Sequence, residues 1–439
     1  MVLIYSDIET PRLHFTCELI FMRLLGIGFR ISSNPVEFNN SEGPKINYSS
    51  EIFPGSLHIL PSGLVSESGI ILQQLPIGQH EGFPTLFPNN GNTSDYPFDL
   101  FAAVFFMTSR YEEYLPHTAD SYGRFPAYES LAYKNGFLEV PIVNIWSLNL
   151  AGCLKNTYPE ITFNRQNYKY LPTIDIDIAF KYKYRSLFKT IGGTARSVLH
   201  GDIHEVLERV AVLLNTTKDP FDTYNFIYST HQNYKLTSIY FILLADYGGL
   251  DKSLSPDKEE FRNFILSLST HASLGLHPSF LSNSDSRKFN REVALFNFIT
   301  ALKLTRTRQH FLKLSLPDTY RMLEKAGVKE DYSMGFADIP GFRAGICIPF
   351  PFYDLKLEKQ TNLMLYPLVL MDGTLNDYLH LSADEAIRRS KVLIDRVKKV
   401  DGTMITLWHN ESLSETGRWK GWKTVYEELV AYASNIDII

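Results

Sequence analysis

Cysteine is scarce: the 439 residues hold three, Cys17, Cys153 and Cys347, far apart and without metal-ligand spacing. That argues against a disulfide framework and suits a reducing compartment. Positive charge is not in excess either. There are 43 Lys and Arg against 48 Asp and Glu, so the net charge is −5 and no polybasic footprint marks a nucleic acid partner. Long apolar runs are also missing. The segment Leu19 to Phe29 contains Arg23 and is too short to span a bilayer. The N-terminus, Val2-Leu3-Ile4-Tyr5, has no basic leader, and the expected location is cytoplasmic.

Apolar and aromatic residues are what the chain has in quantity. An apolar share of 44% with 21% charged describes an ordinary globular protein, and the length suits two domains. The 25 Tyr and 30 Phe fit either large cores or ligand-stacking surfaces.

Along the chain, Val2 to Tyr5, Phe29 to Ser32 and Lys45 to Tyr48 read as strands, the last two separated by an Asn/Gly-rich turn. Thr10 to Leu25 reads as an amphipathic helix opened by Pro11. Residues 81–97 read as a loop and Phe98 to Tyr114 as a strong helix. A polar hinge over 158–168 divides the chain into a smaller α/β domain, 1–165, and a second domain, 166–439. In the second, strands are expected near 172–178, 238–245, 272–277, 308–314, 344–349, 364–371 and 403–408. Helices alternate with them near 201–215, 256–270, 287–303, 317–327 and 383–400. That alternation predicts a closed or nearly closed parallel β/α barrel, whose chemistry would sit at the C-terminal ends of its strands.

Several polar residues lie at or near those expected strands. In Thr173-Ile174-Asp175-Ile176-Asp177 both carboxylates share one strand face, about 7 Å apart. They are either a general base beside a divalent metal, or acids that cap the next helix or meet basic partners. His277 ends a strand that Pro278 breaks, so its imidazole is offered at the strand mouth or satisfied in the core. Arg308 and His310 share a face by their spacing of two. Arg308 would aim a catalytic carboxylate or form a structural ion pair, and His310 could serve as a ligand. His409 follows the last strand and suits a general acid, unless it is an exposed loop histidine. Finally, Gly341-Phe342-Arg343-Ala344-Gly345 and Pro349-Phe350-Pro351-Phe352-Tyr353 offer glycines for close approach, an arginine, and aromatics that could stack on sugar rings. Arg343, Phe342 and Tyr353 are the substrate-binding candidates.

In order and spacing these pieces resemble the polysaccharide deacetylases, carbohydrate esterase family 4. More closely, the chain looks like a bacterial subgroup with an extra N-terminal domain, for which Phe98-Asp99-Leu100-Phe101, Ser109 to Tyr114 and Asp120 to Phe125 also speak. The resemblance implies a distorted β/α barrel of the deacetylase type behind the N-terminal α/β domain. It implies metal-dependent removal of N- or O-acetyl groups from a bacterial surface polysaccharide or its precursor. Asp175 takes the place of the base and Asp177 of a metal ligand, with Arg308 orienting the base (Arg343 in reserve) and His409 as the acid. The family's H-[S/T]-x-x-H motif begins at His277, but Leu281 stands where its second histidine belongs. His310 would replace it, with His271 a weaker candidate, and the metal would be Zn, or Co or Ni. An acetylated glycan and polysaccharide-synthesis proteins are the implied partners. The alternative reading is a catalytically impaired relative that binds glycan or serves assembly.

Overall fold

A continuous apolar run, Val2 to Tyr5, forms most of the first strand, β1 (Val2–Ser6), which is buried throughout. This computed structural model describes residues 1–89 and 94–435. β1 lies between parallel β2 (Phe29–Ser32) and β3 (Lys45–Tyr48), and β4 (Leu57–His58) extends the sheet beyond β3. Between β2 and β3, where a turn was expected, Asn34 caps a helix, Pro35–Asn40. The expected Thr10 to Leu25 helix is α-helical over Pro11–Cys17, where the Thr10 side chain accepts from Leu13 N–H, and π-helical over Glu18–Leu24.

The loop expected over 81–97 holds part of a hairpin, β5 (Ile77–His80) and β6 (Phe83–Leu86); residues 90–93 lie outside the described residues. The strong helix runs over Leu100–Thr108. Asp99 starts it by accepting from Ala102 N–H, and the left-handed φ of 54° at Arg110 ends it before a 3-10 turn, Tyr111–Tyr114.

In the second half, nine strands form one sheet among the described residues. They are β7 (Lys169–Ile176), β8 (Ile239–Leu243), β9 (Ser273–His277), β10 (Arg306–Thr307), β11 (Glu330–Asp331), β12 (Phe350–Asp354), β13 (Lys359–Leu365), β14 (Leu370–Met371) and β15 (Thr403–His409). Their order is β12-β13-β11-β10-β9-β8-β7-β15-β14, parallel throughout except for β12 against β13. The fold is thus mixed α/β with parallel sheets. Where β13 gives way to β14 the chain changes neighbours: Tyr366 N–H donates to Asp331 O, Leu368 N–H to Met334 O, and Val369 N–H to Ile405 O. One stretch therefore bonds first to the β11 side and then to β15.

Two expected strands are displaced. The strand at 308–314 stops at Thr307, and positive φ at Phe311 and Leu312 turns the chain out of the ladder. The strand expected at 344–349 is irregular, because Gly345 takes a φ of +66° and Cys347 N–H is satisfied by Asn144 Oδ1 from the first half. Helices Leu187–Leu199, Tyr224–Asn233 and Trp422–Ser434 went unanticipated. The core runs through both halves: the rings of Phe15 and Phe105 each lie 5.0 Å from Tyr353. No helix among the described residues is long and apolar enough to cross a membrane.

Candidate active site

The parallel register brings the C-terminal ends of β7, β9 and β15 to one place. His409 stands opposite Asp175 on the neighbouring strand, and Phe241 of β8 lies between Asp175 and Gly275 of β9. Asp175 is buried at the end of β7, and Asp177 follows where the strand opens. Arg308 lies buried behind Asp175, its Nη1 donating to Asp175 Oδ1 at 2.9 Å and to Thr173 Oγ1 at 2.6 Å. Its Nε donates to Tyr332 O, so the guanidinium is fixed from two sides.

His277 Nδ1 lies 2.5 Å from Arg308 O. A carbonyl only accepts, so Nδ1 carries a proton and Nε2 faces the carboxylates. That Nε2 is 3.3 Å from Asp177 Oδ1 and 3.6 Å from Asp175 Oδ2. His310 is held in the same manner: Nδ1 lies 2.8 Å from Asp251 Oδ1 and Nε2 3.2 Å from Asp177 Oδ2. The ligand atoms of Asp177, His277 and His310 all lie within 4.8 Å of one another.

These residues fit a divalent cation. Asp177 Oδ1 is buried without a hydrogen-bond partner of good geometry, 3.3 Å from His277 Nε2. Two imidazoles and a carboxylate are a catalytic zinc donor set, and the Asp251–His310 contact is the outer-sphere support such histidines carry. The electrostatics ask for positive charge. Burial pulls the His310 imidazolium down, but Asp177 and Asp251 outweigh it and raise its pKa to about 9. Burial pushes Asp177 up, yet His310 and His277 hold it well below the usual carboxylate range.

His409 completes the group from β15. Its Nδ1 lies 2.8 Å from Asp372 Oδ1, and its backbone N–H donates to Asp372 Oδ2 at 2.7 Å. Its Nε2 points inward, 3.7 Å from Asp177 Oδ2. Burial opposes protonation, but Asp372, then Asp177 and Asp175, raise its pKa well above the ordinary histidine value. The arrangement therefore pairs an anionic carboxylate beside a candidate cation site with a protonated imidazole across it.

A cleft of about 270 Å³ opens over these groups. Arg124 from the first half lines it, donating to Asp120, to Phe311 O at 2.8 Å and to Tyr378 Oη at 3.3 Å. Sequence reasoning missed Asp251 and Asp372, and gave Arg124, within the Asp120 to Phe125 stretch, no role in a site. Asp372 could have been found, because it closes an expected strand; Asp251 lies in a loop without periodic signal.

The three substrate-binding candidates sit elsewhere. Arg343 is buried with Nη2 2.6 Å from Glu113 Oε2, Phe342 is in the core, and Tyr353 donates to Glu358. None lines the cleft. An arginine with aromatic neighbours is equally the signature of a buried ion pair between packed halves, and Arg343 is therefore no reserve for Arg308. Leu281 is 57% exposed, on a 3-10 turn over Leu281–Asn283. His271, also exposed, packs its ring at a tilt against Tyr228 instead of joining the site.

Residues 2–159 match a family described as a family of unknown function (DUF7033). No curated protein sequence matches the chain. Among solved structures, the chain is similar to a Mycobacterium smegmatis protein assigned to the polysaccharide deacetylases, at 12% identity and a TM-score of 0.40, over 63% of this chain and 87% of that one. It is similar to a polysaccharide deacetylase from Bacillus cereus at 11% identity and a TM-score of 0.29, over 61% and 86%. A CE4 family pseudoenzyme from Bacillus anthracis is similar at 11% identity and a TM-score of 0.28, over 60% of each chain.

Proposed function

We propose that this chain is a metal-dependent deacetylase acting on an N- or O-acetyl group of a bacterial surface polysaccharide or its precursor. The observation that carries the reading is the convergence of His277, His310 and His409 on Asp177, each imidazole fixed through its Nδ1. The donor set favours zinc, with cobalt or nickel as alternatives, held by Asp177, His277 and His310. When bound, the ion would supply Lewis acidity toward the acetyl carbonyl and an attacking water.

The proton transfers belong to side chains of this protein. Asp175, aimed by Arg308, takes the proton of the attacking water. His409, kept protonated by Asp372, hands a proton to the departing amine or alkoxide. Arg124 brings the first half into the substrate cleft. A division at about residue 165 is supported by the family match, which stops at residue 159. A distorted barrel is supported by the stretch that joins β11 to β15.

Elemental analysis beside acetate release from acetylated oligosaccharides tests the reading. Wild-type protein should hold near-stoichiometric divalent metal, which Asp177→Ala and His310→Ala remove. Asp175→Asn should keep metal and melting temperature but lose turnover. Protein that takes up no metal even after reconstitution would sink the proposal.

A further inference from the structure

The chain that leaves β7 makes an excursion that the proposed reaction does not use. Residues 178–223 depart from the site and return to it, and Asn410 ties both roots. Its Nδ2 donates to Ile178 O at 3.0 Å and to Phe221 O at 2.9 Å, and Thr223 Oγ1 donates to Asn410 O at 2.9 Å. Asn410 follows His409, so the excursion is rooted beside the proposed acid. Within it, helices Leu187–Leu199 and Ile203–Leu213 pack on each other as a hairpin.

The polar sides of these helices meet. Arg209 is buried between them, donating to Thr190 O and pairing with Glu205, which also accepts from Ser197 Oγ. The apolar sides are left outside. Leu187, Ile191 and Val198 recur on one face of the first helix, and Ile203, Leu207 and Val210 on one face of the second, all exposed. Phe188 is 90% exposed, Leu199 85% and Leu187 79%. Of 30 large hydrophobic side chains exposed among the described residues, 11 lie between Tyr184 and Leu214. Such a concentration marks a surface that works covered.

Charge selects what covers it. Residues 179–201 carry Lys181, Lys183, Arg185, Lys189 and Arg196 and no Asp or Glu; with Arg209, Asp202, Glu205 and Glu208 of the second helix, residues 179–214 hold six Lys and Arg against three Asp and Glu, in a chain of net charge −5. Lys181 pairs with Glu208, whereas Lys183, Arg185, Lys189 and Arg196 form no salt bridge among the described residues. A symmetric contact between two copies would set these cations against themselves. An anionic bilayer surface meets both features: apolar side chains enter the acyl boundary while Lys and Arg stay with the headgroups. At 13 residues the first helix is about 20 Å long and lies along a membrane without crossing it.

We propose that the hairpin spanning 187–214 docks this protein on the surface of an anionic lipid bilayer, holding the rim of the cleft close to it. Docking of this kind is independent of the reaction proposed above.

Full-length protein sedimented with vesicles tests it, one set phosphatidylcholine alone and one phosphatidylcholine with phosphatidylglycerol. The wild type should co-sediment with the anionic set, less so at high salt. Phe188→Ser with Leu199→Ser should abolish binding, and Lys189→Glu with Arg196→Glu should weaken it several-fold. Both pairs alter exposed side chains, so circular dichroism and melting should match the wild type. A wild type that ignores anionic vesicles overturns the proposal, as does undiminished binding by either folded variant. A lipid-free dimer that Phe188→Ser with Leu199→Ser converts to monomer also overturns it, naming a second copy as the occupant.

Discussion

Removing the charge of Asp372 tests how His409 stays protonated. A raised pKa keeps the imidazolium full at neutral pH, and the acid is lost only as pH rises through the raised value. Asp372→Asn should therefore move the alkaline limb of the kcat profile to lower pH while metal content stays unchanged. An unmoved limb would remove His409 from the acid role. Asp251→Asn addresses the other imidazole: it should weaken metal retention against a chelator by roughly 10–100-fold, the usual cost of losing such a partner. At this scale much of the candidate site was legible, because Asp175 lies in an expected strand, His277 ends one and His409 follows one. Arg343 was misread for an equally physical reason: local sequence does not say whether a guanidinium faces ligand or, as here, the buried Glu113.

At the scale of elements, β9 must pass close to β8 for His277 to reach Asp177. Gly275 makes that approach possible, since a Cβ there would meet Phe241 Cδ1 at 2.6 Å and Arg306 O at 3.0 Å. Gly275→Ala should cost about 1–3 kcal/mol of stability by overpacking, seen as a lower melting temperature, and should reduce metal occupancy by displacing His277. Unchanged values of both would show that Phe241 gives way freely. Long periodic elements such as Ala383–Lys399, with its Ser382–Glu385 capping box, were legible because their signals are local. The strand expected at 344–349 was not, since its apolar pattern is satisfied by Asn144 and by core packing rather than by a ladder.

Across the whole molecule, Glu113 joins the two halves, lying between Arg110 at 2.7 Å and Arg343 at 2.6 Å. Burial pushes its carboxyl up, but Arg343 and Arg110 prevail and bring its pKa to about 2 from an ordinary 4.5. A depressed folded-state pKa stabilises above the unfolded value and loses that contribution as pH falls toward the folded one. On the order of 3 kcal/mol should therefore disappear between about pH 4.5 and pH 2. Glu113→Gln should lower the melting temperature at pH 7, leaving two buried guanidinium groups short of charge, and should flatten that acid dependence. Equal acid sensitivity in the variant would show that other carboxylates carry it.

The sequence by itself determined the class of the fold and the residue types available for chemistry, because strand period, caps and breakers act over a few neighbours. Which residues meet was decided by tertiary structure. His310 lies 133 residues from Asp177 and 59 from Asp251, and Arg124 lies 187 from Phe311. Only the parallel register of β7, β9 and β15 and the packing of one half on the other bring those groups into one buried space, where low polarity makes each contact strong. The same packing turned Arg343 and Tyr353 inward and left the faces of Leu187–Leu199 and Ile203–Leu213 outward, and no local pattern distinguishes those fates.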